Sequence, residues 1–214
     1  MKKAVVCWTG GKDSALALYE ARLLGYEITQ LVTFVPDEPN FLAHPLHLIK
    51  LQSEAIGIPH KEMTIREPYK ESYEEAIQSL KAEAAAIVTG DISEIAGHPN
   101  WIKECSKKSK MEVLAPLWYQ DREYLINRLL SKKFKVIFSL IKKPWFKDDS
   151  LLGKELDKNT LLELRSICKN TGMDLCGEQG EYHTLALDGP LFNKPISVNF
   201  SKNSKDNISY LKLD

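Results

Sequence analysis

The sequence predicts an α/β protein, in which a three-layer domain on a mostly parallel sheet precedes a smaller α+β lobe. Between Lys3 and Gly90, apolar runs alternate with helically spaced segments across short turns. Alternation of this kind implies βαβ units, and right-handed crossovers then put helices on both faces of the sheet. Beyond Ser131 the pattern changes to a strand, an aromatic turn, a helix and a segment dense in Gly and Glu. A soft boundary there separates an N-terminal domain at 1–131 from a lobe at 132–214.

Each element has its own signal. KAVVCW (3–8) has the pattern of a buried strand. SALALYEARLLG (14–25) spaces its apolar residues as a helix and ends at Gly25, a C-cap residue. EITQLVTFV (27–35) reads as a second strand, and 36–45, with three prolines and Asn40, as a loop. PLHLIKLQSEAIG (45–57) reads as a helix stopped by Gly57 and Pro59, and HKEMTI (60–65) as a weaker strand. YKESYEEAIQSLKAEAA (69–85) is a charged amphipathic helix, followed by a strand in AAIVTG (85–90). In the lobe, KFKVIFSLIKKPWF (133–146) contains a strand and an aromatic turn, and NTLLELRSICKNTG (159–172) is a helix ended by Gly172.

Of the 214 residues, 43% are hydrophobic and 27% charged, which suits one large globular domain or two small ones. Lys plus Arg and Asp plus Glu each total 29, and the resulting zero net charge argues against a dedicated nucleic-acid binder. The lysine-rich stretch at 131–147 is read as a solvated face. Cys7, Cys105, Cys168 and Cys176 form no C-x-x-C pair and have no clustered His, so neither thiolate metal binding nor disulfides are expected. No signal-peptide pattern fits, and no apolar stretch approaches the roughly 20 residues of a membrane span. The expected location is the cytoplasm.

Open parallel sheets bind ligands outside the carboxyl ends of their strands. WTGGKDS (8–14) and TGDI (89–92) both fall at such ends. Gly10 and Gly11 let backbone N–H groups approach phosphate oxygens, and the following helix N-terminus adds donors and a favourable dipole. Lys12 supplies a positive charge and Ser14 a hydroxyl. The segment is not a Walker A loop, because Val6 and Asp13 stand where that pattern needs Gly and Ser or Thr; nor is it G-x-G-x-x-G. The competing reading is a plain tight turn at Gly10 and Gly11 with Asp13 or Ser14 as an N-cap.

TGGKDS (9–14) resembles the pyrophosphate loop S-G-G-x-D-S of N-type ATP pyrophosphatases, with Thr9 in place of the first Ser. GDI (90–92), PLW (116–118), LG followed by LD (152–157) and GEQGEYHTLALDGPLF (177–192) extend the resemblance along the chain to the diphthine–ammonia ligase family. That resemblance implies an adenine-nucleotide alpha hydrolase (HUP-like) fold for the N-terminal domain. It further implies cleavage of ATP between the α and β phosphates, an acyl-adenylate on a substrate carboxylate, and displacement of AMP by ammonia. A leaving pyrophosphate suits a nest of N–H groups beside Lys12. Mg2+ bridging the phosphates suits carboxylate and water ligands, Asp13 among them.

On this resemblance Thr9, Gly10, Gly11, Lys12, Asp13, Ser14, Gly90 and Asp91 are the expected nucleotide contacts. Lys12, Asp13, Glu178, Glu181 and His183 are the expected catalytic residues. The expected partners are ATP, ammonia and a carboxylated substrate, protein-borne or small, with a homodimer left open. The length leaves no room for a glutaminase domain, so free ammonia is the expected nitrogen source. His183 stands where the family's ligases carry Glu, and GE-x-GEYHT is similar to a bacterial branch linked to cobalamin salvage.

Plainer roles compete for single residues. Glu178 and Glu181 suit metal or amine contacts, or else cap turns and face solvent. Asp91 is either a ligand-edge acid or an N-cap, and Asp188 in LDGP reads as a turn former. Trp101, Trp118 and Trp145 read as packing residues and Cys7 as core, while among His44, His47 and His98 no nucleotide contact is singled out. Two further functions compete with the ligase: a tRNA-modifying pyrophosphatase, against which neutral charge and scattered Cys count, and a nucleotide sensor, which has no use for the Glu-rich second motif.

Overall fold

The computed structural model describes residues 1–39, 41–95 and 97–213; Asn40, in the loop expected at 36–45, lies outside them. Five strands, β1 (Lys2–Cys7), β2 (Tyr26–Pro36), β3 (His60–Ile65), β4 (Ala86–Val88) and β5 (Glu112–Leu114), form one sheet in the order β3-β2-β1-β4-β5. Every pairing in it is parallel. The chain winds outward from β1 to β3, then crosses back to β4 on the other side of β1. The topological switch point therefore lies between β1 and β4, where a ligand crevice is expected.

Burial explains the strands. Ala4, Val6 and Trp8 pack into one apolar cluster and Val5 into another, so successive residues of this strand serve opposite faces. Helices α1 (Lys12–Leu23), α2 (Leu46–Ile56) and α5 (Arg122–Ser131) contribute to the first cluster. Helices α3 (Tyr69–Leu80) and α4 (Trp101–Cys105) contribute to the second. These are the three layers that the sequence predicts.

The C-terminal lobe is an antiparallel sheet with one long helix. Its strands β6 (Lys135–Lys142), β7 (Tyr182–Asp188), β8 (Phe200–Lys205) and β9 (Ile208–Leu213) run in the order β7-β6-β9-β8, and α6 (Lys158–Thr171) precedes β7. Asp157 and Thr160 form a capping box at the start of α6, and Gly172, at φ 75°, ends it. Phe138, Leu164, Ala186 and Leu211 of the lobe share one apolar cluster with Val6 and Leu16 of the sheet domain. The two parts are thus welded by a continuous core.

Several boundaries differ from the expected ones. Helix α3 ends at Leu80 rather than 85: the backbone tightens to i→i−3 bonds, Lys81 N–H to Gln78 and Glu83 N–H to Leu80, and Ala84 is buried on the way into β4. The hairpin of β8 and β9 carries no sequence expectation; β8 (FSKNSK) is largely polar and exposed, and the turn uses Asp206 at φ 52°. Among the described residues no helix is long and apolar enough to cross a membrane.

Candidate active site

The loop after β1 is held from below by one amide. Gly10 adopts φ 80°, and a Cβ there would collide with the Gln52 side chain. Gln52, fully buried on α2, donates from Nε2 to the Gly10 and Ala186 carbonyls at 2.9 and 2.7 Å and accepts from Trp8 Nε1 at 3.1 Å. Gly11 is the N-cap of α1 and offers no side-chain cap. Asp13 and Ser14 therefore lie inside the helix and do not cap it. Ser14 Oγ donates to the Gly11 carbonyl at 3.0 Å and accepts from Thr9 Oγ1 at 3.2 Å.

Two neighbours close on this loop. Gly90, just past β4, sits so near α1 that a Cβ would lie 2.8 Å from the Asp13 carbonyl carbon and the Ser14 nitrogen. From the lobe, β7 crosses the loop: Lys12 N–H donates to Thr184 Oγ1 at 3.1 Å, and Ala186 N–H donates to the Gly10 carbonyl at 2.9 Å. The loop is thus shared between the parallel sheet and the antiparallel one.

The charges follow the same geometry. Lys12 is almost wholly buried; its Nζ meets both Asp13 oxygens at 2.9 and 2.7 Å and the Cys176 carbonyl at 2.5 Å, and lies 5.3 Å from the Tyr182 ring centroid. Burial works most strongly against its charge, but Asp13, Cys176 and Glu178 together outweigh it and hold the ammonium above its usual range. Glu178 reaches back from the lobe, its Oε1 accepting from Ile92 N–H at 2.8 Å and Ser93 N–H at 3.2 Å. Burial dominates there and pushes its carboxyl up to about 7. Asp91 is also pushed up by burial, against hydrogen bonds from Thr89 Oγ1 and Asn100 Nδ2 at 2.8 Å each.

These groups line a cleft of about 480 Å³, a size that fits a nucleotide. One end is polar, made by Thr9, Gly11, Lys12, Asp13, Ser14 and Gly90. Asp91, Glu178 and His183 also face the cleft. The other end is aromatic: Phe34 and Tyr73 pack at 4.7 Å, and Tyr73 meets Trp101 edge-on at 5.8 Å. Gly10 and Glu181 are outside the lining. Glu181 is 3% exposed, takes Asp174 N–H on Oε1 at 3.0 Å, and leaves Oε2 without a hydrogen-bond partner.

Residues 1–113 match the diphthamide synthase N-terminal domain, and residues 121–212 match the diphthamide synthase C-terminal domain. The chain belongs to the diphthamide synthase family. It is 29% identical to the diphthine–ammonia ligase of Bos taurus and 28% identical to that of Homo sapiens, in each case over 91% of this chain and 82% of the relative. The solved structure of a predicted subunit of tRNA methyltransferase from Methanocaldococcus jannaschii aligns over 92% of this chain and 100% of its own, with a TM-score of 0.48 and 19% identity.

Within this diphthamide synthase family chain, sequence reasoning passes over Gln52, Thr184 and the aromatic end of the cleft. A signal for Gln52 exists: it follows Leu48 and Ile49 at helical spacing, a polar residue on a buried stripe. Tyr73 and Trp101 carry no such signal, since aromatic residues at helical spacing are usually core. Among the described residues, no group of three or more His, Cys, Asp or Glu could hold a metal ion by itself. Asp13 and Asp91 both line the polar cleft. That donor set fits Mg2+ held largely by phosphates and waters, with one or two carboxylates from the protein.

Proposed function

We propose that this chain is an ATP-dependent amide ligase that adenylates a substrate carboxylate and joins it to ammonia. The observation that carries the reading is the loop of Thr9–Ser14, set at the switch point of a parallel sheet beside the buried Lys12 ammonium. The names of the relatives, diphthine–ammonia ligases, support the same class of reaction.

ATP is a substrate in this scheme. Its base suits the aromatic end of the cleft, and its terminal phosphates suit the loop N–H groups and Lys12. A substrate carboxylate oxygen attacks the α-phosphorus; the bond from that phosphorus to the bridging oxygen breaks, and pyrophosphate leaves with the electron pair. Ammonia then attacks the acyl carbon, loses a proton, and AMP departs with the former carboxylate oxygen. Glu178, with its carboxyl near 7, is suited to take that proton. Mg2+, when bound, would be held by Asp13 or Asp91 and would offset phosphate charge.

The test is exchange of labelled pyrophosphate into ATP in the presence of candidate carboxylates. Exchange that needs a carboxylate, including that of diphthine, supports adenylation. A second reading keeps the chemistry and changes the carboxylate; His183, where the resembling ligases carry Glu, favours it. A substrate screen in which diphthine is inert and another carboxylate drives exchange would select that reading.

A further inference from the structure

Two imidazoles stand beside the phosphate-type loop, and the adenylation scheme uses neither. His44 precedes α2, and its Nε2–H donates to the Thr184 carbonyl at 3.1 Å. That nitrogen lies 3.1 Å from where a Cβ on Gly11 would be, against the loop itself. His183, on β7, packs edge-to-face on His44 with ring centroids 5.3 Å apart, and both rings line the cleft. Of the charged groups around the pair, Lys12 from α1 acts on both rings and Lys142 from β6 on His183, while the carboxylates of Asp13, paired with Lys12, and of Asp91 and Glu178 line the same cleft.

We propose that His44 and His183 form a proton-taking receptor for the terminal phosphates of the nucleotide, one ring becoming imidazolium as the phosphates enter. The proposal rests on the reading of Thr9–Ser14 as the phosphate site. Its physical reason is charge balance. In the free protein burial first, then the His183 ring and Lys12, hold His44 at about 3, and burial, then Lys12 and Lys142, hold His183 at about 4. A polyanion placed within contact distance reverses the local field, and an opposite charge at about 4–6 Å favours the charged form of a titrating group. The proton comes from solvent, and no covalent bond changes. The neutral pair thus adds no positive charge to the empty site, yet gives an extra cation when pyrophosphate is present.

The experiment uses the full chain and inorganic pyrophosphate as probe. Affinity is measured from about pH 8 to about pH 6 for the wild type and for His44→Gln, His183→Gln and the double variant. The ratio of wild-type to double-variant affinity should grow as pH falls, by up to about tenfold per pH unit for one proton. Histidine-labelled NMR at about pH 6 should show one imidazole of the wild type moving to the protonated position on saturation, a readout that does not depend on the variants folding. A ratio flat with pH, or two rings that stay neutral with pyrophosphate bound, would overturn the proposal while leaving the phosphate site standing. Failure of the folded wild type to bind pyrophosphate at any pH would overturn both.

Discussion

The Lys12 ammonium, on the first turn of α1, donates to the Cys176 carbonyl of the C-terminal lobe at 2.5 Å. One cation therefore belongs to both halves of the molecule: its backbone to the nucleotide-type fold, its head group to the loop that carries Glu178. With Glu178 reaching in the opposite direction, to Ile92 and Ser93, the two segments hold each other across the cleft.

Replacing Lys12 should weaken ATP binding. Lys12→Ala removes a charge-assisted donor from the polar end of the cleft, and a loss of about 1–3 kcal/mol in binding is expected. Titration calorimetry with ATP and magnesium checks it. An unchanged Kd would mean that the ammonium serves only the lobe contact.

Gln52 should matter to stability more than to chemistry. Gln52→Leu keeps most of the volume but strips the Ala186 carbonyl and Trp8 Nε1 of a partner and removes one of the donors to the Gly10 carbonyl. Each orphaned buried polar group costs about 1–3 kcal/mol, so a fall in Tm of about 5–15 °C is expected by thermal denaturation.

Gly90 is required by space rather than by φ. A methyl group at Gly90→Ala would press on the Asp13 and Ser14 backbone, and neither atom is the end of a flexible side chain. The expected result is a folded protein, destabilised by about 1–3 kcal/mol, with α1 displaced and weaker ATP binding. A crystal structure of the variant with an unmoved α1 would contradict this.

The pH dependence turns on Glu178. Its folded-state value of about 7 lies above the ordinary 4.5. The folded protein holds this proton more tightly than the unfolded chain, so the group's contribution to stability is complete below 4.5 and is lost as pH rises through about 7. Glu178→Gln cannot ionise and still accepts through Oε1. It should therefore melt above the wild type at about pH 8 and show no advantage at about pH 4. Turnover of the wild type should rise through about 7 as the base form appears, and the variant should lose that rise.

Much of this was legible in the chain itself. The central strands β1 and β4 are short apolar runs because both of their faces are buried, and the loops at 9–14 and 89–92 had to share one edge because those strands run parallel. Contacts between distant segments were not legible. Nothing local in YHT says that Thr184 will receive the Lys12 amide, or that His183 will meet His44. Glu181 shows the limit most clearly: it shares a glycine-rich turn with Glu178, yet the strand alternation that begins at Tyr182 carries the chain inward and leaves Glu181 buried beside Asp174. Sequence proximity to Glu178 was no guide to which acid faces the cleft.

In the proposed reaction the loop receives pyrophosphate whole while the α-phosphorus is attacked. Kinases and most ATPases grip the γ-phosphate through a Gly-Lys-Ser/Thr loop whose hydroxyl holds magnesium, whereas here Asp13 follows Lys12 and is paired with it. The most direct measurement is chromatography of adenine nucleotides after incubation with ATP, magnesium, ammonia and candidate carboxylates. AMP and pyrophosphate in equal amounts, formed only when a carboxylate is accepted, is the predicted result. Stoichiometric ADP with free phosphate, abolished by Ser14→Ala, would contradict it.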